Sequence, residues 1–574
     1  MTVATGELPA WAVEMRDLFR SGSAAQFVIH GNVFDVVPDG ARMLSLPVFL
    51  DEVMFGTYDV VLRYDRSRGV RATRGGKEWS EWLTNALGPE RNPSLLREPG
   101  SALELIDRFL LRTLNLQAIA EGGSAPRRIA VVIEFAAFVV PRGDALQLGG
   151  PFAANVVKVL GWANDPAIAQ ANIVTVLIGE ALHDLNALVV ENPHAASLHV
   201  PLPARGEMVA YVKALAASEF PQLGAESDLP LESVGDRLTG LSRVGARAGI
   251  ALALRNRKRL TTAWLSDVKK ELIERECQGL LEFIESPFTL DNVAGLDEVK
   301  GWLREDATLL KREALHALPM GYLIAGRIGT GKTFLVQCWA GELGIPCVVF
   351  KNFRDRWVGA TESNLEKIFA VLRALGQVVV FVDEADQASG RRDGGDGDSG
   401  LSGRVYAMLA KEMSDTRNRG RILWVFATSR PDLLEVDLKR QGRLDVHIPL
   451  FPPETSDERR ALLLAIARKL KFPLADSDLP ALDGVSGLGG HELEGVLVRA
   501  LRIHELAPAP KRLLKDVLAD VLRDVRPSPH TRKLEYMDLV AVKECTDGRF
   551  LPPRFRDLSP EELETRIDAL RRFM

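Results

Sequence analysis

One stretch, GYLIAGRIGTGKTFLVQCWAGEL (residues 321–343), constrains the chain more than any other. Its apolar start, Tyr322 to Ala325, predicts a short buried strand, and the periodic run from Phe334 onward predicts a helix. Between them lies Gly326-Arg327-Ile328-Gly329-Thr330-Gly331-Lys332-Thr333, the GxxxxGK[ST] spacing in its strand–loop–helix setting. Glycines let successive backbone N–H groups wrap an anion, and the helix N-terminus adds positive potential. Lys332 is expected to reach the β and γ phosphates of a nucleotide, and the Thr333 hydroxyl to hold Mg²⁺.

A second apolar strand, in VVVFVDEADQ from residue 378, ends in Asp383 and Glu384. Acids at the C-terminal end of a parallel strand stand where open α/β sheets bind ligands. With the phosphate loop upstream, Asp383 is expected to serve the Mg²⁺ shell and Glu384 to polarise an attacking water. A third buried strand, in GRILWVFATSRPD, ends at Thr428-Ser429, and LKRQGRLDVHIPLFPP carries Arg440 and Arg443 around a glycine.

These elements, in this order and completed by GLGGHELEGVLVRAL, resemble the AAA family of ATPases over roughly residues 288 to 510. The resemblance implies ATP bound with Mg²⁺ between subunits of a homo-oligomeric ring, a hexamer by family analogy. Arg440 and Arg443 then stand as fingers reaching a neighbour's γ-phosphate. Gly295 and Leu296, in FTLDNVAGLDEVKGWL, stand near the base, and Gly489 and Gly490 near the nucleotide in a helical lid. Ser429 departs from the family, which places Asn there to position the attacking water. In KNFRDRWVGATESNLEKIF, Trp357 and Val358 occupy the position of a pore loop that grips a protein substrate. The Gly- and Asp-rich SGRRDGGDGDSGLSGR reads as a mobile loop, a second pore-facing candidate. The letters DEAD do not make a helicase, because the Ser-Ala-Thr motif and second core of those enzymes are not apparent.

The first 290 residues repeat this design without its chemistry. QFVIHGNVFDVV gives a strand and a glycine but no lysine, VVLRYDRSRGVR reads as the next strand, and RRIAVVIEFAAF puts Glu134 and Phe135 where the acid pair belongs. NIVTVLIGEALHDLN, AASLHVPLP and LTGLSRVGARAGIALAL parallel the later landmarks. Glu134 precedes Asp383 by 249 residues and Gly240 precedes Gly487 by 247 (383 minus 134, 487 minus 240), so register is nearly kept. His30, Asn32 and Asp35 read as a polar loop at the vestigial site.

The expected fold is α/β, with tandem P-loop AAA-type modules, each a parallel sheet flanked by helices and followed by a small helical lid. The expected divisions are 1–205, a degenerate α/β domain; 206–262, its lid; and 263–287, a helical linker. They continue with 288–452, the active domain; 453–510, its lid; and 511–574, a helical extension with a capping box at Ser559 and Glu562.

At 574 residues the chain suits several domains, and a net charge of −5 argues against a nucleic-acid partner. No apolar run is long enough to span a bilayer, the N-terminus lacks the order of a signal peptide, and the four cysteines show no CxxC spacing. A cytoplasmic protein without membrane insertion is expected, acting on a protein substrate or adaptor whose identity the sequence does not encode. The alternative is a slow ATP-dependent assembly switch that threads nothing.

Overall fold

The computed structural model describes residues 8–573 except 41, 89–95, 120–126, 144–147, 278, 285, 351–360, 389–398, 473, 483–486, 508–511 and 527–529. Trp357 and Val358 lie outside the described residues, as does most of the Gly- and Asp-rich stretch. The chain divides into two units, residues 1–272 with 362–374, and residues 273–361 with 375–574.

In the first unit the strands are β1 (Gln26–Gly31), the hairpin β2 (Val36–Asp39) and β3 (Arg42–Ser45), β4 (Val60–Asp65), β5 (Gly69–Arg74), β6 (Ile129–Ile133), β7 (Ile173–Ile178) and β8 (Ala195–Val200). Six of them form one sheet in the order β5-β4-β6-β7-β1-β8, parallel apart from the edge strand β5. The second unit holds β9 (Leu281–Ile284), β10 (Gly321–Ala325), β11 (Cys347–Phe350), β12 (Val378–Val382), β13 (Ile422–Thr428) and β14 (Val446–Pro449). Their order is β14-β10-β13-β12-β11-β9, parallel apart from the edge strand β9.

The two sheets share one plan: β8-β1-β7-β6-β4 matches β14-β10-β13-β12-β11. Register repeats as well. Ile129 pairs with Ile173 and Val378 with Ile422, a separation of 44 residues in each (173 minus 129, 422 minus 378). Strands β6, β7, β10, β12 and β13 are buried along their whole length, which is why they read as unbroken apolar runs.

Two local readings change. The expected single strand VVLRYDRSRGVR is the hairpin β4-β5, because Asp65 accepts hydrogen bonds from the N–H groups of Ser67 and Arg68 and Gly69 takes a left-handed φ of 77°. The linker helix ends at Glu276 rather than near residue 287; Leu281–Ile284 instead joins the sheet antiparallel to β11.

After the lid, the helix Thr531–Glu544 buries seven consecutive residues, Tyr536 to Val542, in the second unit. Burial on every face marks a core helix rather than a surface arm. The final helix, Pro560–Arg571, opens with the expected box: the Glu562 N–H donates to Ser559 Oγ and the Ser559 N–H to Glu562 Oε2.

The helix Lys332–Leu343 is seated by aromatic contacts, Tyr322 on Trp339 at 4.8 Å and Phe288 on Phe334 at 5.5 Å between ring centroids. It lies so close to the lead-in segment that a Cβ on Gly341 would stand 2.1 Å from the Phe288 carbonyl oxygen. Gly341→Ala should therefore push that segment away, destabilising the protein by about 1–3 kcal/mol. Thermal unfolding checks this, and an unchanged midpoint would contradict the packing described.

Candidate functional site

Strand β10 lies between β13 and β14, and its end sets the phosphate loop. A Cβ on Gly326 would stand 2.3 Å from the Leu450 carbonyl oxygen, so only glycine lets the chain turn there. Gly331, at φ 86°, is the left-handed residue from which the helix Lys332–Leu343 starts. Lys332 Nζ donates to the carbonyls of Gly326 at 2.7 Å and Arg327 at 3.1 Å, which holds the ammonium over the loop. Burial pulls its pKa below the ordinary lysine value, against the opposing pull of Asp383, Asp386 and Glu384.

The parallel pairing of β12 with β13 brings the acids to the same sheet edge. Thr333 Oγ1 donates to Asp383 Oδ2 at 2.8 Å, so the two expected magnesium ligands are in contact. Both are hard oxygen donors, the type that suits Mg²⁺. Glu384 is exposed and sits at φ 48°, a left-handed conformation that non-glycine residues rarely adopt and that clusters at functional sites. The first module repeats the distortion where the acid is gone: Phe135 sits at φ 53° beside Glu134.

At the end of β13 the Thr428 side chain is fully enclosed, and Ser429 beside it is half-buried. Thr428 Oγ1 donates to Asp386 Oδ1 at 2.6 Å and accepts from the Arg430 N–H. Asp386 is the last acid of the DEAD tetrad, and this contact ties β13 to the acid turn.

A cleft of about 540 Å³ opens beside the loop. Gly295, Leu296, Gly329, Phe334 and Gly490, among the residues expected near the nucleotide, line it. The lid meets the loop directly through Gly490 N–H and the Gly329 carbonyl at 2.8 Å. Arg440 and Arg443 stand apart from this set: Arg440 is 70% exposed and pairs with Asp437 at 3.1 Å, and Arg443 Nη1 donates to the Asp437 carbonyl at 2.6 Å.

The sequence reading missed the C-terminal extension. Arg549, Phe550, Leu551 and Pro552 complete the wall of the cleft. Arg327, buried on the phosphate loop, donates to the Gly487 carbonyl at 2.8 Å and faces Asp538 of the helix Thr531–Glu544 at 3.9 Å. Burial pushes the Asp538 carboxyl up to about 6, with Arg327 opposing the shift. No residue pattern in residues 511–574 signals these contacts.

In the first module the corresponding places are satisfied from within. A hairpin, β2-β3, follows β1 where the active module starts its loop helix. Asp35 is buried and accepts from the N–H groups of Arg243 and Val244, both at 2.9 Å, at the start of the helix Arg243–Arg255. Asn32 steadies the same carboxylate at 2.9 Å. Glu134 is engaged by Arg63 at 2.6 Å and by Arg71 at 3.4 Å.

A five-strand parallel arrangement with a phosphate loop at the end of β10 and an acid pair two strands away, at the end of β12, defines a P-loop nucleotide-binding protein. Comparison with known proteins narrows the class. Residues 322–451 match the family described as "ATPase family associated with various cellular activities (AAA)", residues 3–201 the "AAA+ chaperone, N-terminal Rossmann-like domain" and residues 209–278 the "AAA+ chaperone, second helical domain". The chain belongs to the AAA family, with a degenerate AAA-like module ahead of the intact one.

Among curated relatives it is similar to "ATP-dependent zinc metalloprotease FtsH 2" of Symbiobacterium thermophilum, 35% identical over 33% of this chain and 34% of that protein. It is likewise similar to "ATP-dependent zinc metalloprotease FtsH 3" of Sphaerobacter thermophilus, 35% identical over 37% and 44% respectively. "ATP-dependent zinc metalloprotease FtsH" of Mycobacterium tuberculosis is 34% identical over 37% and 29%. The chain thus spans under half the length of these relatives.

The Thr428 contact yields a test. Thr428→Val keeps the shape but removes the hydroxyl between Asp386 and β13, and should slow ATP turnover about tenfold with a stability loss of about 1–2 kcal/mol. Ser429→Ala should cost less, about threefold in turnover. Steady-state ATPase assays decide, and a larger loss at Ser429 would reverse the assignment.

Proposed function

We propose that the second module hydrolyses ATP at an interface between subunits of a homo-oligomeric ring, a hexamer, and that the ring remodels or pulls on a protein substrate. The contact of Thr333 with Asp383 beside the strained Glu384 carries the hydrolytic part of this reading. Exposure of Arg440 and its anchoring to Asp437 support the intersubunit part.

Glu384 takes a proton from water as the oxygen attacks the γ-phosphorus. The bond from that phosphorus to the β–γ bridging oxygen breaks, leaving ADP and inorganic phosphate. Lys332 and the loop N–H groups from Gly326 to Thr333 stabilise charge on the β and γ oxygens. Mg²⁺ held through Thr333 and Asp383 would supply Lewis-acid neutralisation of the phosphates. Arg440 and Arg443 of the adjacent subunit add guanidinium charge at the transition state, worth roughly 10³–10⁵ in rate in related NTPases. Gly295, Leu296 and Phe334 seat the base, Gly489 and Gly490 close the lid against the loop, and Thr428 with Ser429 aligns the water.

The relatives' names support ATP-dependent action on proteins. The zinc in those names is not carried over: among the described residues no three His, Cys, Asp or Glu side chains converge as a metal site. No helix of the described residues is long and apolar enough to cross a membrane. In this reading the first module binds no nucleotide by the same mechanism and acts as scaffold or adaptor, since its key positions are engaged by Asp35, Arg63 and Arg71.

The shared site is tested by mixing subunits. Lys332→Ala, Glu384→Gln, and the pair Arg440→Ala with Arg443→Ala should each abolish turnover alone. Mixing the arginine-deficient chain with the Lys332→Ala chain should restore about a quarter of wild-type activity, because in a random ring half the sites are intact and half of those face intact arginines. Failure of every mixture removes the intersubunit site.

Pulling depends on Trp357 and Val358 in the pore loop. Trp357→Ala should leave ATPase within about twofold and reduce substrate unfolding tenfold or more, since an aromatic anchor supplies the grip. Unfolding unchanged by this substitution favours the slow assembly switch.

A further inference from the structure

The helix Thr531–Glu544 touches the second module at three places that the proposed reaction uses. At its middle, Asp538 faces Arg327 of the phosphate loop at 3.9 Å. Two residues before, the Tyr536 hydroxyl donates to Asp432 Oδ2 at 3.1 Å, and the Arg430 guanidinium lies 5.2 Å from the Tyr536 ring centroid. Arg430 in turn pairs with Asp432 at 2.8 Å, immediately after Ser429. At the C-terminal end, Glu544 Oε1 accepts from Lys439 Nζ at 2.5 Å, in a pair that is mostly buried. Lys439 also donates to the Pro431 carbonyl at 3.0 Å, and its neighbour in sequence is Arg440.

Phosphate loop, β13 terminus and arginine turn are thus fastened to one buried helix. From Asp538 to Glu544 the helix rises about 9 Å, at ~1.5 Å per residue. Burial of Tyr536 to Val542 in succession holds most of that span in the core, and beyond the exposed Lys543 the half-buried Glu544 is held by Lys439. The helix thus joins Arg327, facing Asp538, to Lys439, bound to Glu544.

We propose that the helix Thr531–Glu544 is a relay: it couples the phosphate loop of one subunit to the arginine turn that the same subunit offers its neighbour. The proposal rests on the trans-arginine reading above. Asp538, Tyr536 and Glu544 touch no reacting atom; they are positioning residues.

The test uses full-length chains in the two-subunit mixture. Acceptors carry Arg440→Ala and Arg443→Ala, so they have a working site but no fingers. Donors carry Glu384→Gln, so they have fingers and a phosphate loop able to hold nucleotide but no working site. Glu544→Gln keeps size and removes charge. Placed on donors it should lower the regained turnover about fivefold with KM for ATP unchanged, and placed on acceptors it should change turnover less than about twofold. Lys439→Gln on donors breaks the same contact from the other side and should reproduce the loss. Asp538→Asn on donors should also slow the neighbour's turnover, and the double substitution Asp538→Asn with Glu544→Gln should cost no more than about the larger single loss, as members of one coupled path do. Unfolding midpoints within a few degrees of wild type establish that the variants fold.

A loss that follows the acceptor, silence of both Glu544→Gln and Lys439→Gln on donors, or multiplying losses in the double variant each overturn the relay while leaving the shared site intact. A reference mixture that regains nothing overturns the trans-arginine reading, and the relay with it.

Discussion

The second module depends on the way β10 ends. Between two parallel neighbours the strand has no freedom of direction, and the Leu450 carbonyl stands where any side chain on Gly326 would go. The chain must turn there, and the loop residues follow in an order set by the positive φ of Gly329 and Gly331. Lys332 then has its own loop carbonyls within reach, and Thr333 has the carboxylate at the end of β12. The loop's charge chemistry is therefore a consequence of sheet register: a shift of β12 by one residue would turn Asp383 to the other face.

The first module shows what that scaffold does when the chemistry is withdrawn. Gly31 ends β1 much as Gly326 follows β10, and a Cβ on Gly31 would stand 2.6 Å from the Val200 carbonyl oxygen. The backbone demand outlives the function. Beyond the glycine the two modules part: a hairpin replaces the loop helix, so no helix N-terminus faces an anion at that point. The amides at the start of the helix Arg243–Arg255 still need an acceptor, and Asp35 supplies it from within the chain. Arg63 and Arg71 play the opposite part toward Glu134, the acid left at the end of β6.

Legibility in the sequence followed how local each contact is. Buried parallel strands announce themselves as apolar runs, so the strands, the repeat of their order along the chain and the acids after β12 could be read directly, as could the GxxxxGK[ST] loop with its fixed internal spacing, while the order of strands across each sheet could not. The Asp65 turn that splits residues 60–74 into two strands was harder, because its signal is one carboxylate accepting two N–H groups rather than a change in hydropathy. Ser429 drew attention because it departs from a family pattern, yet the adjoining Thr428 makes the buried contact with Asp386. The wall formed by Arg549 to Pro552 had no signal at all: it comes from residues more than 200 positions after the phosphate loop (549 minus 326 is 223), and only the fold joins them.

Asp538 is the residue hardest to explain as mere packing. A carboxylate buried on a core helix is disfavoured in its charged form, and one of its oxygens, Oδ1, is buried without a hydrogen-bond partner. An asparagine or leucine of similar size would fill the same volume without that penalty, since replacing a buried charge pair with apolar groups is often neutral or stabilising. What neither would provide is a field acting on Arg327, whose guanidinium is always charged and whose other contact is the lid carbonyl of Gly487. The raised pKa has a definite sign for stability: the folded state favours the protonated acid, so the stability this group contributes is full below the ordinary value near 3.8 and is lost as pH rises toward about 6. At neutral pH the molecule therefore keeps a charge that weakens its own fold, at a place where the helix Thr531–Glu544 meets the phosphate loop. That is the pattern of a residue held for its action on a neighbour rather than for its contribution to the core.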